Sequence, residues 1–200
     1  MPEFDIPATT PDAMPIRIWV MPHSRVTQKD DVHTRLAIAL GCTPQTLPLT
    51  RDVHGRPRLG VPYMDYDLNW SHSGDLLLLA LGKRVRLGID VEKLRDQPRA
   101  LDLARRFFHP SEADQLQRSG NITRDFFRFW CAKEAILKAH GRGIAFGLNR
   151  VIFTLETPEE TPHLLECDTA LGQPDDWNLH LWRPCADYFA MLAWRQHTGH

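Results

Sequence analysis

Between Val85 and Glu92 the chain reads V-R-L-G-I-D-V-E, and this stretch limits the fold more than any other. Val85, Leu87, Ile89 and Val91 are apolar, and Arg86, Gly88, Asp90 and Glu92 alternate with them. A strict period of two marks a β-strand with two unlike faces. Asp90 and Glu92 therefore stand side by side on one face. The adjacent Gly88 predicts room there for something to come close to the backbone.

The surrounding patterns predict an α+β fold. Ile16–Met21 alternates as a first strand, and a helix over 30–40 puts Val32, Leu36 and Leu40 on one face before Gly41 stops it. Gly74-Asp75 marks a turn between a strand ending near Trp70 and the apolar strand Leu76–Leu81, which puts Ser71-His72-Ser73 at a strand tip. Helical segments follow, one opened by Pro98 and one by His109-Pro110-Ser111 and carrying Glu112. The strongest helix spans 123–140, with Phe126, Phe127, Phe129, Trp130, Ile136 and Leu137 along it and Gly141 as its stop. Trp130, Glu134 and Lys138 recur every fourth residue and share a face. A solvated Glu-Lys pair is the plain reading, but a helix this apolar argues for the interior. Strands return at Val151–Leu155, Leu179–Arg183 and Tyr188–Trp194, the last two as a hairpin across Pro184–Asp187. Each part of the chain runs strand, helical segment, strands, which predicts two similar α+β halves packed as a pseudo-dimer in one chain. The expected division is a flexible tail over 1–14, an N-terminal half over 15–86 and a C-terminal half over 87–197.

Charge and cysteine spacing act as exclusions. A net charge of -1 over 200 residues gives no global attraction to nucleic acid or an anionic membrane. Cys42, Cys131, Cys167 and Cys185 form no CxxC pair, which argues against zinc and for reduced thiols. The acidic, proline-punctuated N-terminus is no signal peptide, and the longest apolar run is too short to span a bilayer. The expectation is a cytoplasmic monomer.

If Asp90, Glu92 and Glu134 converge, each pair at about 4 Å repels by roughly 4 kcal/mol at an effective dielectric near 20. A cation or a shared proton must offset that. An all-oxygen donor set favours Mg²⁺, with Mn²⁺ as the alternative, and Mg²⁺ commonly completes its shell with water and substrate phosphate. Lys138, His72 and the loop arginines Arg51, Arg56 and Arg58 are then suited to phosphate oxygens. Residue chemistry alone reaches a Mg²⁺-dependent enzyme acting on a phosphorylated or pyrophosphate-containing ligand.

L-G-I-D-V-E at 87–92 followed by F-W-C-A-K-E-A-I-L-K at 129–138 resembles the signature pair of the 4'-phosphopantetheinyl transferases, in particular the larger pseudo-dimeric kind that activates surfactin synthetase. G-R-P at 55–57, N-W-S-H-S at 69–73 and R-R-F-F with Glu112 extend the likeness, which covers about residues 51–155. The resemblance implies transfer of the phosphopantetheine arm of coenzyme A to a serine of an apo acyl or peptidyl carrier protein, with 3',5'-ADP released. It implies Asp90, Glu92 and Glu134 as metal ligands, with Glu134 also the candidate base. It implies Ser71 and His72 at a coenzyme A phosphate, Lys138 on the phosphates, and Arg51 and Arg56 near the adenosine 3'-phosphate, Arg56 replacing a frequent lysine. Arg25, Lys29 and Arg35 are further candidates there, and Gly88 would let the ligand lie over the strand. Arg99, Arg105, Arg106, Arg118, Arg124 and Arg128 surround the loop at 119–123, the expected dock for an acidic carrier. A non-catalytic coenzyme A- or carrier-binding relative and another Mg²⁺-dependent phosphoryl-transfer enzyme are the alternatives.

Overall fold

The computed structural model describes residues 3–6, 16–26, 28–157 and 160–197. Strands β1 (Glu3–Ile6) and β2 (Ile16–Pro22) precede helix α1 (Gln28–Leu40), a small hairpin of β3 (Leu49–Arg51) and β4 (Pro57–Leu59), and three long strands, β5 (Tyr66–Ser73), β6 (Leu76–Lys83) and β7 (Val85–Lys93). Helices α2 (Ala100–Phe107), α3 (Pro110–Gln117) and α4 (Ile122–His140) follow, then β8 (Val151–Thr154), β9 (His163–Cys167), β10 (Asn178–Trp182) and β11 (Tyr188–Gln196). The mixed α and β content agrees with the sequence.

Two antiparallel sheets organise these elements, one in the order β1-β2-β6-β5 and one in the order β10-β11-β7. The odd positions of β7 meet Ile16, Ile18 and Val20 of β2, Leu78 and Ala80 of β6, and Ala190 and Leu192 of β11 in one buried cluster that joins the sheets. On the outer face of the first sheet, Val32 and Leu36 of α1 pack with Trp19, Leu68, Leu77 and Leu79. On the outer face of the second, α4 packs with Phe189, Met191 and Ala193.

Three sequence expectations change. The tail is not loose throughout, because Glu3–Ile6 pairs with β2; residues 1–2 and 7–15 lie outside the described residues. The expected division at 86/87 falls inside the unbroken β7, and the turn lies one strand end earlier, at Arg84 with φ 56°. Gly88 makes room for a helix, not for a ligand. A Cβ there would lie 2.1 Å from the Ala135 carbonyl oxygen and 2.4 Å from the Ala139 amide nitrogen, so the backbone of α4 rests on the strand.

β7 is an edge strand of its sheet, yet three of its outer amides are bonded. Asp67 Oδ2 accepts from the Leu87 amide at 2.8 Å, Asn69 Oδ1 from Ile89 at 2.9 Å, and Ser73 Oγ from Lys93 at 3.0 Å. Each rung joins a β5 residue to the residue twenty further on, so the two strands run side by side in one direction. β5 thus serves its own sheet with its backbone and the other sheet with alternate side chains. An unpaired strand edge would otherwise leave buried polar groups unsatisfied.

The end of α4 is held from two sides. Arg86 donates to the carbonyls of Ala139 at 2.6 Å and His140 at 3.0 Å, and Arg56 donates to that of Lys138. These cations complement the negative end of the helix dipole. Gly141, at φ +105°, turns the chain away in the left-handed region. Gly88→Ala forces two backbones apart and should destabilise the protein by about 1–3 kcal/mol, read from chemical denaturation. An unchanged midpoint would contradict the close packing.

Candidate active site

The acidic residues are brought together where β5, β7 and α4 meet. The even face of β7 is turned toward α4, so Asp90 (3 % exposed) lies between the strand neighbour Ser71 and the helix residue Lys138. Lys138 Nζ donates to Asp90 Oδ1 at 2.6 Å and to Ser71 Oγ at 2.8 Å, and Ser71 Oγ donates to the same Asp90 oxygen at 2.9 Å. Glu92, one strand step on, accepts from Ser73 Oγ at 2.9 Å and lies 3.7 Å from Arg95. Glu134 stands one helical turn before Lys138 and is buried.

Crowded carboxylates resist ionisation. Burial, then the charge of Asp90 and, more weakly, that of Glu92, push Glu134 up to about 7 even though Lys138 pulls the other way. Burial and Asp90 likewise raise Glu92. Burial alone would lower Lys138, but Asp90 and Glu134 together hold it above the ordinary lysine value. The acids therefore form one electrostatic unit answered by one ammonium.

Asp90 Oδ2 is buried and accepts no hydrogen bond from a nitrogen or oxygen, with the buried Cys131 thiol as the neighbour of that carboxylate. A hard divalent cation suits that orphan oxygen and its carboxylate neighbours. Among the described residues no group of three or more Asp, Glu, His or Cys side chains is arranged so that it could hold a metal ion by itself. Mg²⁺ is usually held by only one or two carboxylates with water and substrate oxygens, so an open acidic cluster fits it.

Lys138 also lines a cavity of about 210 Å³ with Arg51, His54, Arg56, Trp70 and Arg142. Arg51, Pro57 and Trp70 are shared with a second cavity of about 530 Å³, whose walls include Arg25, Lys29 and His33. Arg51 sits over the Trp70 ring at 5.1 Å. The two cavities thus abut along a basic wall starting at Lys138. Of the three N-terminal candidates, Arg25 and Lys29 reach this wall, whereas Arg35 lines a separate hollow with Asp31 and Ile38. A cavity of about 570 Å³ at Arg86, Trp177 and Arg195 contains none of the expected site residues.

Two expected roles are corrected. Arg56 forms part of the smaller cavity's wall, but the residue is 4 % exposed and its guanidinium faces protein acceptors: Asp67 Oδ2 at 2.6 Å, the Leu87 carbonyl at 2.7 Å and the Lys138 carbonyl. It ties β5, β7 and α4 together and is not open to a ligand. Arg128, expected at a docking surface, is buried and bonds Asp125 and the carbonyls of Thr157 and Glu160. Arg118 and Arg124 remain at the surface, lining a hollow of about 370 Å³ with Ser119 and Gly120, and the buried Arg128 forms part of its wall.

Sequence reasoning missed His23, whose ring stacks on that of His72 with centroids 4.0 Å apart. It missed Lys133 too, which is fully buried on a 2.7 Å ion pair with Glu112 and also bonds the carbonyls of Leu148 and Val151. The alternation of Asp67, Asn69, Ser71 and Ser73 along the same segment is the sequence signal for the polar edge of β5.

The profile of the 4'-phosphopantetheinyl transferase superfamily matches residues 86–190, more than half of the chain. A Synechocystis sp. protein provisionally named 4'-phosphopantetheinyl transferase is 34 % identical over 172 residues, which are 80 % of this chain and 66 % of that protein. The Nostoc sp. transferase HetI is 39 % identical over 110 residues, 53 % of this chain and 46 % of its own. The Bacillus subtilis 4'-phosphopantetheinyl transferase is 31 % identical over 121 residues, 59 % and 52 % respectively. The chain thus spans about half to two thirds of the length of these relatives. A solved holo-[acyl-carrier-protein] synthase from Neisseria meningitidis overlays with a TM-score of 0.42 at 19 % identity, covering 55 % of this chain and 96 % of that one. This chain belongs to the 4'-phosphopantetheinyl transferase superfamily.

In the metal-free protein Glu134 keeps its proton up to about pH 7, whereas an unfolded glutamate loses it near 4.5. The native state binds more protons within that window, so this group's contribution to stability falls as pH rises through it. Glu134→Gln removes the effect and should compare more favourably with wild type at about pH 8 than at about pH 5 in urea denaturation. An equal difference at both values would contradict the raised carboxyl.

Proposed function

We propose that this chain transfers the 4'-phosphopantetheine arm of coenzyme A to a serine hydroxyl of an apo acyl or peptidyl carrier protein, with Mg²⁺ and with release of 3',5'-ADP. The observation that carries the reading is the junction of Lys138, Ser71 and Asp90 beside a basic cavity wall with Arg51, Arg25 and Lys29. Family membership supplies the reaction class.

Asp90, Glu92 and Glu134 would hold the cation, with the orphaned Asp90 Oδ2 as its first donor. The ion, when bound, neutralises pyrophosphate charge. Lys138 stabilises the oxygens that become negative as 3',5'-ADP departs, and His72 binds a phosphate of coenzyme A throughout. Ser71 holds Asp90 and Lys138 in register for that task. Arg51, with Arg25 and Lys29 along the same wall, is suited to the phosphate on the adenosine ribose. The carrier serine oxygen forms a bond to the pantetheine-bearing phosphorus, the bond from that phosphorus to the nucleotide oxygen breaks, and the serine proton passes to a base. Glu134, buried one helical turn before Lys138, is the candidate to take it, directly or through water.

We read the two sheets, each covered by one long helix, as two similar α+β halves of a pseudo-dimer in one chain, with their seam between β5 and β7. On this reading the protein works as a cytoplasmic monomer without nucleic acid or membrane; the described residues contain no helix long and apolar enough to cross a bilayer. Carrier docking falls to the hollow at Arg118 and Arg124.

Incubation with coenzyme A, Mg²⁺ and an apo carrier should add one phosphopantetheine to the carrier's mass, and Glu134→Gln should abolish the addition. No mass gain on several carriers overturns the transferase in favour of a non-catalytic binding protein. Charge reversal at Arg118 and Arg124 together should raise the KM for the carrier while leaving that for coenzyme A unchanged. An unchanged carrier KM removes the docking assignment.

A further inference from the structure

His72 stands near the end of β5 and its side chain is exposed, so nothing in its own strand fixes its ring. His23, just past β2, is held firmly. Its amide donates to the Asp75 carbonyl at 2.8 Å, its Nδ1 lies 3.0 Å from the Gly74 carbonyl, and its Nε2 lies 3.2 Å from Gln28 Oε1. A carbonyl oxygen only accepts, so Nδ1 carries the ring proton in that contact. The Gln28 amide can present either a donor or an acceptor to Nε2. The His23 ring is thereby fixed to the β5–β6 turn on one side and to α1 on the other. Against it lies the His72 ring, with centroids 4.0 Å apart and planes only 11° from parallel.

We propose that His23 is a positioning residue for His72: the fixed ring leaves its partner one plane in which to present a nitrogen to the ligand phosphate. The inference rests on the proposed contact between His72 and coenzyme A. An exposed histidine free about two torsions loses entropy on binding, and a stacking surface prepares that order in advance. His23 itself touches no ligand atom in this scheme. Its location explains why chemistry elsewhere does not reveal it: it comes from the connection between β2 and α1, far in sequence from the S-H-S segment.

The electrostatic surroundings agree with this arrangement. His72 faces His23 and Arg25 from the β2–α1 connection and Lys138 from α4, and burial together with these charges holds it below the ordinary histidine value. It therefore meets the ligand neutral at pH 7, with one N–H donor whose direction is set by the ring plane. Orientation matters more for a single donor than it would for an imidazolium with two.

His23→Ala removes the surface, and His23→Phe keeps a flat ring without a charge. Coenzyme A affinity by calorimetry, and KM with kcat in the transfer assay, separate the two. His23→Ala should weaken coenzyme A binding and raise its KM by roughly two- to tenfold, the range an aromatic pair supports, with kcat little changed. His23→Phe should stay within about twofold of wild type. In both variants the His72 titration midpoint, followed by NMR, should move up because a neighbouring charge is gone. Equal loss in the two variants, or no loss in either, overturns the proposal. Ring-to-ring Overhauser contacts in the ligand-free protein test the stack alone; their absence overturns it while leaving the transferase reading intact. Present contacts with no coenzyme A binding by wild type overturn the transferase reading, and the ligand role of the pair with it.

Discussion

One edge of β7 has no backbone partner, and the polar side chains of β5 take its place. Asp67, Asn69 and Ser73 receive the amides of Leu87, Ile89 and Lys93. Side-chain oxygens reach farther than a carbonyl, so two strands from different sheets lie together without merging their ladders. This seam fixes the register of β7. A slip of one residue would turn Asp90 and Glu92 into the apolar cluster and bring leucine and valine to the helix. Ser71, the remaining member of the β5 series, uses the same reach to grip Asp90 itself.

The helix is placed with equal care by residues that do no chemistry. Ala135 and Ala139 rest on Gly88, which sets how close α4 comes. Arg56 and Arg86 hold its last carbonyls, which sets how far it extends. Lys133 and Glu112, both fully buried, pin the opposite side. Burial pulls Lys133 down to about 8 despite that partner, so the pair stands where desolvation is costly. Adjacent residues on one helix thus divide the work: Lys133 anchors the scaffold, and Glu134 faces the strand acids. An acid-base cluster with mutual repulsion needs such an outer frame to remain assembled.

Much of this was legible beforehand. Strict alternation from Val85 to Glu92 announced the strand, and four-residue spacing put Glu134 and Lys138 on one face of a buried helix. What eluded the sequence were meetings between distant segments. Gly88 marks a place of close approach, but periodicity cannot say whether a ligand or a helix arrives. Arg56 sits in a basic loop, and only the fold shows its guanidinium turned inward between β5, β7 and α4. The His23–His72 stack joins residues 49 apart with no local pattern to betray it. Residues 3–6 alternate as E-F-D-I over only four positions, too short a run to announce a strand, and pairing with β2 makes them one.

The seam is the central claim, and amide hydrogen exchange tests it most directly. Leu87, Ile89 and Lys93 carry amides on a strand edge with no backbone partner, where exposed groups would exchange quickly. The account predicts slow exchange at all three in the wild-type protein. In Asn69→Ala it predicts faster exchange centred on Ile89, the residue whose acceptor has been removed. Rapid exchange of these amides in wild type, or an Asn69→Ala protein with Ile89 still fully protected, would contradict it.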